Sequence, residues 1–161
     1  MAYTRKRTAK RTRPKDRTCY ETAVYLLQFR DQSEKDLTRK LKEREYTEKE
    51  IEEAMERLRD YEYVNDENLA DELFEAYRRR AQYGDAYIHQ KLKLKGLATE
   101  KHLQLEEEIE MAAALLQKKW GMSPKLRTDF KKSASFLLRR GVSHDAVMTV
   151  MHEIDFEETE E

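Results

Sequence analysis

The sequence has few of the residues that build turns and cross-links: one cysteine, two prolines and four glycines in 161 residues. A sandwich or barrel of short strands needs more turn residues, together with more valine, isoleucine and threonine. The single cysteine, Cys19, excludes a disulfide framework and a zinc site built from cysteines, and it is typical of a reducing cytoplasm. These scarcities favour an all-α protein.

Long hydrophobic runs are also missing. No apolar stretch approaches the length that crosses a membrane, and the basic N-terminus lacks the hydrophobic segment of a secretory signal. We therefore expect a cytoplasmic chain that makes no contact with a membrane. Hydrophobic residues make up only 39% of the sequence, which predicts a thin core distributed over several small helical bundles.

No residue pattern in the sequence indicates catalysis. No histidine or helix start lies near enough to activate the thiol of Cys19, and no glycine-rich loop could hold a phosphate. Acidic pairs such as Glu52 and Glu53 lie in runs of solvated charge. The four histidines fall at no metal-ligand spacing: they are His89, His102, His144 and His152. We expect no enzymatic activity, no cofactor and no metal site.

Two apolar stripes share the spacing i, i+3, i+4, i+7 of a buried helix face. The first comprises Ile51, Ala54, Met55 and Leu58, and the second comprises Val147, Val150, Met151 and Ile154. Ten residues before each stripe lies a leucine, Leu41 or Leu137. Between each leucine and its stripe lie a turn residue, an apolar residue and a threonine or serine whose hydroxyl can cap the next helix. A third copy, one residue longer, begins at Leu92, so the pattern is an internal repeat.

The internal repeat predicts an elongated array of three tandem three-helix repeats, because each unit alone is too small to be stable. The three repeats are expected at residues 17–64, 65–108 and 109–155. A disordered basic arm at residues 1–16 and an acidic tail at 156–161 flank them. We predict that Asp66 caps the first helix of the second repeat. A later helix should begin at Thr99 and break near residues 108–111.

Charge is segregated along the chain, although the formal net charge is only −1. Residues 1–17 hold eight lysines or arginines against one aspartate, and residues 41–76 hold five basic residues against fourteen acidic ones. Net positive charge returns in residues 77–95 and 118–140. Such blocks indicate a protein that meets a charged partner through particular faces, although solvated helix faces produce the same pattern.

The basic segments are the best candidates for binding. Arg78, Arg79 and Arg80 precede Tyr83 at a helix end, where a cationic triplet adjoins an aromatic ring. Further basic pairs are Lys91 with Lys95, one helical turn apart, and Arg139 with Arg140. Surfaces of this kind suit the phosphate backbone of a nucleic acid and an acidic protein surface equally well.

Several segments of the sequence resemble the RecX family of RecA modulators, and they occur in the order and at the spacing of the family pattern. In the second repeat, residues 65–70, 77–80 and 83–84 resemble the family pattern D-D-x-x-F-A … R-x-R … Y-G, and residues 88–97 match I-x-x-x-L-x-x-K-G-I. In the first repeat, residues 33–41 are similar to S-x-x-E-L-x-x-K-L. In the third, residues 136–143 are similar to F-L-x-R-R-G-F-S. The resemblance spans residues 18–154.

The resemblance implies a curved chain of three-helix repeats, lying in the helical groove of the RecA filament on single-stranded DNA. It implies inhibition or modulation of strand exchange, ATP hydrolysis and co-protease activity, through bridging of RecA subunits or a block of filament growth. We expect a monomer whose partner is RecA, with single- or double-stranded DNA as a further ligand. The residues implied to contact RecA or DNA are Arg39, Lys40, Arg78, Arg79, Arg80, Tyr83, Lys91, Lys95, Arg139 and Arg140.

The chain departs from the family pattern directly after Tyr83. Where family members often show G-P-R-R-I-R, residues 84–89 read G-D-A-Y-I-H, so arginines are missing from one face of the second repeat. We therefore expect DNA contact from the basic arm or the third repeat instead. Two hypotheses remain beside a RecA regulator. The chain is an independent DNA-binding module, or it is a helical scaffold for some other protein.

Overall fold

The computed structural model describes residues 16–153, and every regular element in that range is helical. The helices are α1 (Cys19–Leu27), α2 (Glu34–Lys42), α3 (Glu48–Asp60), α4 (Asp66–Arg80), α5 (Asp85–Leu94), α6 (Leu105–Met122), α7 (Phe130–Arg139) and α8 (His144–Glu153). A short 3-10 helix, Pro124–Thr128, precedes α7. The all-α prediction is confirmed. The acidic tail, Ile154 and all of the basic arm except Asp16 lie outside the described residues.

The chain divides into two compact units after Leu69, inside α4. In the first unit, α1, α2 and α3 enclose a small core of buried apolar side chains. This core comprises Cys19, Ala23, Leu37, Leu41, Tyr46, Ile51, Ala54, Met55, Leu58 and Val64. The predicted stripe of α3 is therefore confirmed. The expectation that no helix start lies near Cys19 is wrong, since Cys19 is the first residue of α1, where it is buried. None of the helices in residues 16–153 combines the length and the hydropathy that a bilayer crossing requires.

Side-chain caps define the helix starts of the first unit. The Thr47 hydroxyl accepts a hydrogen bond from the backbone N–H of Glu50, and the Glu50 carboxylate accepts one from Thr47. The prediction that Asp66 caps α4 is wrong by one residue. The cap is Asn65, whose side chain accepts from the backbone N–H of Asn68 at 3.1 Å. Asp66 instead accepts from the backbone N–H of Glu34, at the start of α2.

Four helix ends share one backbone geometry. One is the end of α3, where Glu62 (φ 56°) is left-handed and the N–H of Tyr63 donates to the carbonyl of Leu58, and the other three correspond to the three copies of the sequence repeat. The chain leaves each of these three helices through a left-handed residue: Glu45 (φ 67°), Gly96 (φ 73°) and Gly141 (φ 78°). The next residue then donates its N–H back to a buried leucine carbonyl five positions earlier. These hydrogen bonds join Tyr46 to Leu41, Leu97 to Leu92, and Val142 to Leu137. The repeat in the sequence is thus a repeated way of ending a helix.

After the second of these turns the structure differs from the prediction. No helix begins at Thr99, because the N–H of Leu103, which would bond to the Thr99 carbonyl in a helix, donates to Asp85 instead. The Thr99 hydroxyl donates to Asp71 at 2.5 Å and accepts from the N–H of Lys101. Helix α6 begins only at Leu105 and continues unbroken to Met122. The predicted break near residues 108–111 is therefore wrong. Glu108, at the start of the predicted break, is buried, and both of its carboxylate oxygens accept hydrogen bonds.

The second unit has its own core, formed by α6, α7 and α8. The buried apolar side chains of this core are Met111, Ala112, Leu116, Trp120, Leu137, Val142, Ala146, Val147, Val150 and Met151. The Trp120 indole N–H donates to the Ser133 hydroxyl at 3.0 Å, and that hydroxyl donates to the Leu126 carbonyl at 2.8 Å. The described part of the predicted α8 stripe is confirmed. In α4 and α5, Phe74, Ile88 and Leu92 are also buried.

The Glu108 carboxylate joins the starts of two helices. One oxygen accepts from the N–H of Asp85 at 2.9 Å, and the other accepts from the N–H of Ser143 at 3.3 Å. We expect Glu108→Ala to lower the free energy of unfolding by about 2 kcal/mol, because two N–H groups in a half-buried region lose their acceptor. Urea unfolding followed by circular dichroism measures the change. Glu106→Ala is the matched control, since Glu106 is exposed in the same first turn of α6; an equal loss in both variants would contradict this role.

Candidate functional site

The best candidate site lies where α5 begins, at a contact between two glycine backbones. The N–H of Gly84 donates to the carbonyl of Arg140 at 2.8 Å. A Cβ added to Gly84 would lie 2.2 Å from the carbonyl oxygen of Gly141, so only glycine fits there. A Cβ on Gly141 would lie 2.4 Å from the backbone nitrogen of Tyr87. The C-terminal end of α7 and the start of α5 therefore meet backbone to backbone, with no side chain between them.

An aromatic stack forms beside the glycine contact. The rings of Tyr83 and Tyr87 are parallel, with centroids 3.9 Å apart and an interplanar angle of 7°. Tyr77, in α4, meets both rings edge-on at centroid distances of 6.4 Å. Offset-stacked and edge-to-face arrangements of this kind are the favourable geometries for aromatic rings. The stack therefore orders the loop between α4 and α5.

Two cations lie over the faces of the stacked rings. The Arg140 guanidinium lies 5.2 Å from the centroid of Tyr83 and donates a hydrogen bond to the carbonyl of Gln82. The Lys91 ammonium lies 5.1 Å from the centroid of Tyr87. We call the surface formed by Tyr83, Tyr87, Lys91 and Arg140 the Tyr83 surface. It joins two candidates that are 57 residues apart in the sequence, Tyr83 and Arg140.

All three arginines of the α4 triplet are exposed, but Arg78 is held in an ion pair with Glu107. Arg78 donates from Nε to Glu107 at 2.7 Å, and this hydrogen bond raises the pKa of the guanidinium. The pKa of Glu107 is lowered, first by the hydrogen bond from the backbone of Gln104 and then by Arg78. Arg78 thus ties α4 to α6. Arg79 and Arg80 are exposed in the last turn before the Tyr83 surface, so they are the better contact candidates.

The remaining predicted contact residues are distributed over both units. In the first unit, Arg39 pairs with Glu43 at 2.6 Å, and Lys40 donates to the side chain of Gln32. Burial lowers the pKa of Lys40, and the nearby charges of Arg30 and Arg39 lower it further. In the second unit, Lys95 lies at the C-terminal cap of α5, one turn beyond Lys91, and Arg139 is exposed at the end of α7.

Sequence reasoning missed two features of this region. Tyr87 counted only as a departure from the family pattern, yet it forms half of the aromatic stack. The histidine spacing argued against a metal site, yet His89 and His102 stack with centroids 4.5 Å apart and share Asp85 as a neighbour. The two histidines are thirteen residues apart, and the non-helical chain before α6 brings them together. Local spacing therefore carried no signal for the pair.

Two family models match this chain. Residues 19–58 match the model of the first three-helix domain of RecX, and residues 106–151 match the model of its third three-helix domain. The first match covers α1 to α3 except the last two residues of α3. The second covers most of the region from α6 to α8.

Curated relatives and solved structures give the same result. "Regulatory protein RecX" of Actinobacillus pleuropneumoniae serotype 5b is 34% identical over 155 residues, covering 89% of this chain and 96% of the relative. The protein of the same name from Trichlorobacter lovleyi is 29% identical over 139 residues, covering 80% and 90%. The crystal structure of RecX from Lactobacillus salivarius shares the fold, with a TM-score of 0.73 and 24% identity, and the match covers 84% of this chain and 93% of that one. The all-helical fold, the matches to the first and third RecX domain models and the near full-length similarity together place this chain in the RecX family.

Proposed function

We propose that this chain binds the RecA filament on single-stranded DNA and modulates its recombinase, ATPase and co-protease activities. The observation that carries the proposal is the similarity to "Regulatory protein RecX" over 96% of that relative's length. The partner RecA follows from the family resemblance. The Tyr83 surface supports the proposal because tyrosine and arginine are the residues most enriched where proteins bind one another.

The chemistry of the Tyr83 surface suits a macromolecular partner better than a small molecule. Its two rings are held in place by stacking, so little side-chain entropy is lost when a partner covers them. Its cations, Lys91 and Arg140, lie on ring faces and can meet an acidic group at the same time. The exposed Arg79 and Arg80 add long-range attraction, which raises the rate of association.

The proposal is tested by ATP hydrolysis. Purified chain is added in increasing amounts to RecA on single-stranded DNA, and the rate of hydrolysis is followed. We expect the rate to fall as the chain approaches a stoichiometric ratio to RecA. An unchanged rate at that ratio, with binding of RecA also absent in sedimentation, would exclude the proposal.

A second candidate function is independent DNA binding through the basic arm and the third repeat. It is favoured by the net charge of residues 118–140, where eight basic residues face one acidic residue, and by the exposure of Lys125 and Lys131. The test is titration of labelled DNA over a salt series, with the full chain and a variant lacking residues 1–16. A steep salt dependence that vanishes with the arm, without any effect on RecA, would favour this function.

A further inference from the structure

Three potential metal ligands converge where α5 begins. Asp85 is the first residue of α5, and His89 follows one turn later with its Nε2 3.6 Å from Oδ2 of Asp85. His102 comes from the non-helical chain before α6, and its Nδ1 lies 2.8 Å from the same oxygen. The three donor atoms lie within 4.8 Å of one another. Two imidazole nitrogens and one carboxylate oxygen therefore lie close together.

The surrounding contacts hold these ligands in place. The other oxygen of Asp85, Oδ1, accepts from the N–H of Leu103 at 2.8 Å, which leaves Oδ2 toward the histidines. The His89 ring lies between Phe74, at a centroid distance of 5.9 Å, and His102, at 4.5 Å. Asp85 and His89 expose only 23% and 27% of their side chains. Outer contacts of this kind orient the ligands of metal sites and raise their affinity.

The spacing of the donors fits tetrahedral zinc. Zinc bonds to nitrogen and oxygen at about 2.0–2.1 Å, which puts neighbouring ligand atoms roughly 3.3 Å apart. The contacts of Asp85 with His102 and with His89, 2.8 Å and 3.6 Å, bracket that value. Imidazole and carboxylate are ligands that zinc accepts readily, and three protein ligands with one water is an established zinc arrangement.

Neighbouring cations do not oppose a bound metal ion, because they are already paired. The Lys101 ammonium is 2.9 Å from the Glu75 carboxylate, and Arg78 is paired with Glu107. Nδ1 of His102 donates to Oδ2 of Asp85, and a metal ion would take the place of that proton. Nε2 of His89 donates a hydrogen bond to the Lys101 carbonyl at 3.0 Å, so zinc would have to displace that proton as well.

We propose that Asp85, His89 and His102 form a zinc-binding site that ties the chain before α6 to the start of α5. Asp85 follows Gly84 directly, so a bound ion would also stiffen the backbone that carries Tyr87 and the Tyr83 surface. Binding to the folded chain alone stabilises it in proportion to zinc concentration. The proposal does not depend on RecA or DNA as partners.

The experiment uses the full chain after removal of metal by chelation. Zinc is titrated by calorimetry, and cobalt(II) is titrated by visible absorption as a spectroscopic substitute. We expect one ion per chain, cobalt absorption bands typical of tetrahedral coordination, and a higher melting temperature with zinc than with magnesium. His102→Ala should weaken zinc binding at least about tenfold. Its side chain is 61% exposed, so the variant should fold; circular dichroism checks this.

His144→Ala is the matched control. His144 also lies beside an aspartate, with Nδ1 4.0 Å from Oδ1 of Asp145, but within residues 16–153 no third donor joins the pair. Its loss should leave zinc affinity unchanged. Three results would overturn the proposal: no binding at millimolar zinc, binding that His102→Ala and His89→Gln leave intact, or binding that His144→Ala abolishes.

Discussion

Replacing Gly84 with alanine is expected to lower the free energy of unfolding of the second unit by about 3 kcal/mol. The new Cβ would lie 2.2 Å from the carbonyl oxygen of Gly141 and 2.4 Å from the nitrogen of Val142. Both are backbone atoms, so they cannot rotate away, and α5 must move from the turn after α7. Trp120 is the single tryptophan and lies buried in the second unit, so its fluorescence in a urea titration measures the loss.

Gly121→Ala is the control for this prediction. A Cβ on Gly121 meets nothing within 4 Å, and the residue lies in the last turn of α6. Alanine there should stabilise the chain by about 0.5 kcal/mol, because it loses less backbone entropy on folding than glycine. Gly141→Ala should resemble Gly84→Ala, since its φ is +78° and Tyr87 is in the way. If Gly84→Ala were as stable as the parent, the glycine contact would be wrong.

Arg79→Glu with Arg80→Glu is expected to weaken the effect on RecA-dependent ATP hydrolysis about tenfold or more. This prediction depends on the proposed function. Two exposed cations beside the Tyr83 surface become anions, so attraction to an acidic partner becomes repulsion. The concentration of chain that halves the ATPase rate measures the change, and the difference should shrink at high salt because exposed charges are screened.

Lys125→Glu with Lys131→Glu is the matched control. The two pairs of substitutions change the net charge equally, and both lysines are exposed. Lys125 is in the 3-10 helix and Lys131 is in the first turn of α7, at the end opposite Arg139 and Arg140. The control should retain most of the effect on RecA. If it loses the effect while Arg79→Glu with Arg80→Glu keeps it, the contact lies in the third repeat and not at the Tyr83 surface.

The two predictions separate folding from binding. The Gly84→Ala variant should lose stability and RecA modulation together, because the glycine contact holds the backbone of Tyr83 and Tyr87. The arginine variant should lose modulation alone, since exposed charges contribute little to stability. If the arginine variant were stable and modulated RecA normally, the end of α4 would not be part of the contact with RecA. The family resemblance would be unaffected.

Part of the candidate site was readable in the sequence. The basic triplet, Tyr83 and Arg140 all stood out by residue type and by similarity to the RecX family. Their proximity in space could not be read from the sequence. Tyr83 and Arg140 are 57 positions apart, and the contact between Gly84 and Gly141 brings them together. Tyr87 was notable in the sequence only because it stands where the family pattern has an arginine. The structural role of Arg78 was equally hidden, because Glu107, its partner, lies 29 residues away on another helix.

The sequence by itself determined the helical class, the Thr47 cap and the repeated helix end. These features depend on atoms within about one or two helical turns: the Thr47 hydroxyl reaches Glu50, and the N–H of Val142 reaches Leu137. Tertiary structure decided where α6 begins, because the N–H of Leu103 donates to the Asp85 carboxylate and so cannot close the first turn of a helix that starts at Thr99. Tertiary structure also allowed α6 to continue through Glu108. The carboxylate of this buried residue accepts hydrogen bonds from the N–H groups of Asp85 and Ser143, which are distant in the sequence. Packing between helices supplied those partners, and no local pattern encodes them.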